Sequence, residues 1–128
     1  MVRTFLNSKI HKATVTDSRI DYEGSCAIDP VLLHAAGIKP YEKIDIYNIT
    51  NGERFSTYAI KGEANTGTIC INGAACHKAT INDKIIICTY ADLTESEYMN
   101  HKPTVVYVDN RNKIMERESY SNVSLVEK

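Results

Sequence analysis

What most limits the fold of this chain is how its apolar residues are parcelled. They fall into runs of four to eight, rich in Ile, Val, Thr and Tyr and separated by turn residues. The runs are residues 9–16 (KIHKATVT), 43–50 (KIDIYNIT), 54–60 (RFSTYAI), 68–72 (TICIN), 84–91 (KIIICTYA), 104–109 (TVVYVD) and 113–116 (KIME). β-Branched and aromatic side chains suit a pleated surface, and runs of this length are strands rather than helices. Asn51-Gly52 lies between two of them and predicts a two-residue hairpin turn with positive φ at both positions. Asn110-Arg111-Asn112 predicts a second hairpin.

Two short helices have legible ends. Asp29 suits the cap, Pro30 the first helical position and Gly37 the stop, with VLLHAA between them. Thr94 with Glu97 three residues later reads as a capping box opening a helix of about two turns. Residues 119–128 (SYSNVSLVEK) are polar enough to fray. Many short strands with minor helices in 128 residues predict one domain built as a closed β-barrel.

Charge and cysteine content narrow the function. A formal net charge of −1 offers no broad basic field, so nucleic acid and anionic membranes are not expected partners. The N-terminus lacks the long apolar stretch of a secretory signal, and IIICTYA is far too short to span a bilayer. A cytoplasmic protein is expected. The four cysteines, Cys26, Cys70, Cys76 and Cys88, form no C-x-x-C pair and no zinc spacing, so reduced, mostly buried thiols and no metal site are expected.

On a strand alternate residues share a face, so Lys9 projects with His11, and Arg54 with Ser56 and Tyr58. Each taken alone is what a solvated strand face or a satisfied core edge also provides. Asn72-Gly73 followed by Ala74 and Ala75 permits close backbone approach and exposed amides, and equally an ordinary turn. Cys26 has no neighbouring base to make it a nucleophile. Gly24-Ser25, within YEGSCAID at residues 22–29, admits a further chemistry. The serine hydroxyl can attack the preceding carbonyl if the backbone is held in a strained conformation that glycine permits. The resulting ester breaks by β-elimination, and hydrolysis of the dehydroalanine leaves a pyruvoyl group in place of Ser25.

Several motifs in order carry a resemblance: SKIHKATVT at residues 8–16, YEGSCAID, AAGI at 35–38, TNGERFSTYAI at 50–60 and NGAA at 72–75. The chain resembles the pyruvoyl-dependent aspartate 1-decarboxylase family almost end to end, from about Arg3 to Val106. The resemblance implies a double-psi β-barrel with short flanking helices, made as a precursor that cleaves itself between Gly24 and Ser25 into chains of residues 1–24 and 25–128. It implies a homotetramer with sites between subunits, and conversion of L-aspartate to β-alanine and CO2 for pantothenate and coenzyme A synthesis. No pyridoxal phosphate is implied.

The family's roles carry over by position. Ser25 becomes the pyruvoyl group that forms a Schiff base with the substrate amine, and Tyr58 matches the proton donor. Gly24, Ser25 and Thr57 match the processing residues. Lys9, Arg54, Thr57, Asn72, Gly73, Ala74 and Ala75 match substrate-binding positions, and His11 and Tyr22 lie near the site. Because Thr57 and Tyr58 are adjacent, alternation turns them to opposite faces, and a bulge or a neighbouring subunit is expected to reconcile them. Cys76 stands where a small residue is usual and Lys12 where arginine is common. Some relatives depend on an acetyltransferase-like maturation factor. Two other readings remain open on the sequence: a non-catalytic small-ligand-binding β-barrel, and a DNA-binding barrel that the charge disfavours.

Overall fold

The computed structural model describes residues 1–119; residues 120–128, on which most of the expectation of a fraying tail falls, lie outside the described residues. Nine strands follow one another as β1 (Arg3–Thr14), β2 (Asp17–Arg19), β3 (Ser25–Ile28), β4 (Lys43–Asn48), β5 (Arg54–Lys61), β6 (Ile69–Asn72), β7 (Lys84–Leu93), β8 (Thr104–Val108) and β9 (Ile114–Ser119). Helix α1 (Pro30–Ala36) follows β3, a 3-10 helix (Gly73–His77) follows β6, and α2 (Glu95–Met99) follows β7.

The strands form one mixed sheet in the order β2-β6-β3-β5-β4-β7-β1-β8-β9. Since β1 runs directly into β2, the sheet closes on itself. Thr16 secures the seam: its amide donates to Ile69 O at 2.8 Å, and the Ile69 amide donates to Thr16 Oγ1 at 2.9 Å. Three parallel pairs (β3 with β5, β1 with β8, β2 with β6) are interspersed among antiparallel ones, consistent with a double-psi β-barrel.

Inward-facing positions make the core. Ile10 pairs with Ile87, Ile87 with Ile46 and Ile46 with Phe55, so one row crosses four strands. Ile28, Ile44, Ile69, Ile71 and Ile85 join Ile10, Ile46 and Ile87 at zero exposure. Each such side chain contributes about 1.5–3 kcal/mol of burial, and its fixed χ1 suits a strand. Both helices have the expected ends. The Asp29 carboxylate accepts from Val31 N, and Gly37 closes α1 at φ +73°. Thr94 and Glu97 make both bonds of a capping box, although α2 is only five residues long.

Two turns differ from expectation. The β4–β5 hairpin forms, but through a five-residue connection, and of the Asn-Gly pair only Gly52 has positive φ. Buried Asn48 explains this: its Oδ1 accepts from Thr50 N, while its Nδ2 donates to Lys78 O and to Asp83 Oδ2. These tertiary bonds override the local turn. Asn72-Gly73 is no hairpin turn either, but the junction of β6 with the 3-10 helix. β1 also begins well before residue 9, and Lys12 occupies a left-handed bulge within it at φ +61°.

Candidate active site

The alternation that sends isoleucines inward sends a polar set outward. Lys9 pairs with Cys88, Cys88 with Asp45 and Asp45 with Ser56, a row parallel to the core row on the opposite face. Tyr58 pairs with Lys43, and Arg54 with Tyr47. Ser25 pairs with Asn72 across β3 and β6, while Cys26 and Ala59, both fully buried, pair across β3 and β5. Lys9, Ser25, Arg54, Tyr58 and Asn72 therefore all belong to the outer face of the barrel.

Thr57 belongs to the inner face, opposite Ile44. The β4–β5 register runs unbroken from Lys43/Tyr58 to Tyr47/Arg54, so no bulge reconciles Thr57 with Tyr58. Both nevertheless line a cleft of about 490 Å³ with Tyr41, Lys43 and Ser56.

Ser25 is almost fully buried at the start of β3. Asn72 Nδ2 donates to Ser25 Oγ at 3.1 Å, and the Ser25 hydroxyl donates to Glu23 O at 3.3 Å. Gly73, at φ +76°, explains how these strands come so close. A Cβ there would lie 2.8 Å from Gly24 Cα, 2.9 Å from Gly24 N and 3.0 Å from Tyr22 O. Gly24 has no left-handed φ, and a Cβ on it would meet nothing within 4 Å. The conformational demand anticipated at Gly24 thus falls on Gly73 in the uncut chain.

The remaining candidates are dispersed. The Arg54 guanidinium lies 4.7 Å from the centre of the Tyr47 ring, and Tyr47 and Tyr90 join hydroxyls at 2.7 Å. Lys9 is half-buried on β1, with β7 and β4 between it and β5. Ion pairs among the described residues are Arg19–Asp17 and Lys78–Glu53; neither uses Lys9 or Arg54. His11 meets the Tyr107 ring edge-on at 5.7 Å. Burial, then the charges of Lys9 and Lys12, hold its imidazole below the ordinary histidine value. Tyr22 accepts a bond from Arg19 and lines, with Asn72 and Cys70, a second cleft of about 510 Å³. Ala74 is exposed, while Ala75 and Cys76 pack against the core. One chain therefore assembles Tyr22, Gly24, Ser25, Asn72 and Gly73 and lays β5 alongside, where Tyr58 precedes Ala59 as Ser25 precedes its partner Cys26; Thr57 and Tyr58 share the first cleft. It does not gather Lys9 and Arg54 around Ser25.

Comparison with known proteins identifies the family. A model of the family described as "Aspartate decarboxylase" matches residues 1–115. The chain is 56% identical over 120 residues to the aspartate 1-decarboxylase of Methylobacillus flagellatus, covering 94% of this chain and 95% of that one. It is 58% identical over 114 residues to the aspartate 1-decarboxylase of Nitrosococcus oceani, covering 89% and 90%. The chain belongs to the aspartate decarboxylase family. The enzyme of Ralstonia nicotianae with the same name is 53% identical over 116 residues, covering 91% of this chain and 97% of that one.

The outer face also carries polar residues that sequence reasoning overlooked. Lys43, Asp45 and Tyr47 alternate with Ile44 and Ile46, so their shared polar face was visible in KIDIYNIT. Tyr41, which walls the first cleft at φ +72°, follows Pro40 with no periodic signal to mark it. Among the described residues no group of three or more His, Cys, Asp or Glu could hold a metal ion, and no helix is long and apolar enough to cross a membrane. All four cysteines are free thiols.

Proposed function

We propose that this decarboxylase is made as one chain, cuts itself between Gly24 and Ser25, and converts L-aspartate to β-alanine and CO2 at the pyruvoyl group that Ser25 leaves behind. The bond from Asn72 Nδ2 to Ser25 Oγ, beside the Gly73–Gly24 contact, carries this reading. It presents the hydroxyl of the residue that follows Gly24, held where β3 pairs with β6.

Ser25 Oγ attacks the Gly24 carbonyl carbon. The hydroxyl proton passes to the Ser25 nitrogen as its bond to Gly24 breaks, leaving an ester. Loss of the Ser25 Cα proton then breaks the Cβ–Oγ bond, and Oγ leaves as an oxygen of the Gly24 carboxylate. Water replaces nitrogen in the dehydroalanine and ammonia departs, giving the pyruvoyl group. Thr57, near Tyr58, supports charge on the carbonyl oxygen during the cut. The group fits Ser25, because Asn72 already places a donor beside the side-chain position and Gly73 leaves space for the backbone.

Once formed, the group supplies a carbonyl that takes the substrate amine and accepts the electrons released by decarboxylation. The protein's side chains do the rest. Aspartate carries two carboxylates, and Lys9 and Arg54 are the outer-face cations that hold them, Arg54 through its bidentate fork. Tyr58, on that face and open to its cleft, returns the proton to carbon. Asn72, Gly73, Ala74 and Ala75 line the substrate beside Ser25. His11 and Tyr22 stand behind them. Because the cations project from an outer face and one chain does not gather them, sites between the subunits of a homotetramer complete the arrangement. A cytoplasmic setting suits both the thiols and the substrate.

Denaturing intact-mass spectrometry tests this on the purified chain, before and after warm incubation and with an acetyltransferase-like activator. The expected result is two species split after Gly24, the larger one ammonia lighter than hydrolysis alone gives. Ser25→Ala should remain one uncut chain and release no CO2 from aspartate; a fully active Ser25→Ala protein overturns the reading.

A further inference from the structure

Asn72 places a donor at Ser25 Oγ only while its carboxamide faces one way. The two ends of a carboxamide have nearly the same shape, so neighbouring hydrogen-bonding groups fix the orientation. Nδ2 faces Ser25 Oγ, and Oδ1 faces Cys70, whose thiol donates to it at 3.2 Å. Cys70 and Asn72 are two apart on β6 and so share a face, and both line the second cleft. Burial, aided by the Asp17 carboxylate, raises the Cys70 thiol above its ordinary value, so it stays protonated at neutral pH.

We propose that Cys70 is a positioning residue for self-cleavage: its S–H holds Asn72 Oδ1, and thereby keeps Asn72 Nδ2 aimed at Ser25 Oγ. This rests on the self-cleavage reading above. When Cβ–Oγ breaks, negative charge arrives on Oγ as it becomes a carboxylate oxygen, and the Nδ2 donor stands at that atom. Without a donor at position 70 the carboxamide is free to turn, placing an acceptor against the leaving oxygen. That slows elimination rather than attack, so the ester accumulates. The relay runs thiol to carboxamide to hydroxyl, with no atom of Cys70 touching the reacting bond.

The full-length chain carrying Cys70→Ser, Cys70→Val or Cys70→Ala tests this, with cleavage half-times read by intact mass and the ester measured as the fraction cut by hydroxylamine. Ser keeps a donor and should cleave within about twofold of the parent. Val fills the volume without donating; Val and Ala should cleave roughly five- to tenfold more slowly, with more ester, as the loss of one hydrogen bond predicts. A Val variant at the parental rate overturns the proposal, and so does a Ser variant as slow as Ala. A parent that never leaves full mass defeats the self-cleavage reading instead. The Asn72 side-chain amide NMR signal of the uncut chain then decides the relay alone. A shift in Val that Ser does not show supports it, and an unmoved signal in Val overturns it.

Discussion

Asn-Gly occurs twice in the chain, at Asn51-Gly52 and at Asn72-Gly73, and both glycines take a left-handed φ, +80° and +76°. The surroundings differ. A Cβ on Gly52 would meet open space, whereas one on Gly73 would run into the backbone of Gly24 and Tyr22. The asparagines diverge in the same way. Asn51 accepts from Glu53 N within its own loop and donates to a distant backbone oxygen, that of Lys78, while Asn72 donates to the side chain of Ser25. The shared dipeptide sets a local conformation, and what crosses in front of it decides whether that conformation becomes chemistry.

The sharpest way to break this comparison is Gly73→Ala. Left-handed strain and a contact under 3 Å with rigid backbone should together cost about 3–4 kcal/mol. The Gly24–Ser25 bond should then stay uncut by intact mass at temperatures where the protein remains folded. A Gly73→Ala chain that cuts normally would show that the close approach has no part in the reaction.

Asp29 asks whether the site can be separated from its framework. Its buried carboxylate caps α1 and accepts from Asn65 N and Gly67 N, tying the loop after β5 to the end of β3. Burial alone would raise its titration, but the backbone amides of Val31, Gly67, Asn65 and Thr66 outweigh that and hold it below the ordinary value of 3.8. The lowered folded value fixes the sign: the stability it gives is complete above the unfolded value and lost as pH falls through the folded one. Asp29→Ala should cost about 2–3 kcal/mol at neutral pH by chemical denaturation. The deficit against the parent should shrink below about pH 4. A constant deficit down to pH 2 would assign Asp29 a purely steric role.

The smallest effect belongs to Gly52→Ala. Only the left-handed φ is penalised, so stability should fall by about 1 kcal/mol while cleavage proceeds at the parental rate. Slower cleavage there would dissolve the contrast between the two turns.

These residues also mark how much of the molecule could be read from its sequence. The helix ends at Asp29, Pro30, Gly37, Thr94 and Glu97 were legible because caps act within a few residues. So was the shared face of Arg54, Ser56 and Tyr58, since alternation is local. β3 was not: SCAI has little alternation, and its pairing comes from β5 and β6, both distant in sequence. For the same reason the close approach that Asn72-Gly73 permits was legible only as a local possibility beside an ordinary turn, with nothing to name Gly24 as its partner. The two meet only through the closure of the barrel.

That closure gives the proposed cut a further meaning. Residues 1–24 contain β1, which lies between β7 and β8, and β2, which lines β6. A break after Gly24 therefore releases no tail. It leaves a stave wedged between its neighbours, unable to depart without stripping three strands of a partner and unsealing the core. Folding of one newly made subunit is a first-order event, but recovery of that subunit after the cut and full denaturation is an encounter between two molecules. Through its own maturation each subunit should thus gain a concentration-dependent refolding step that precedes any assembly.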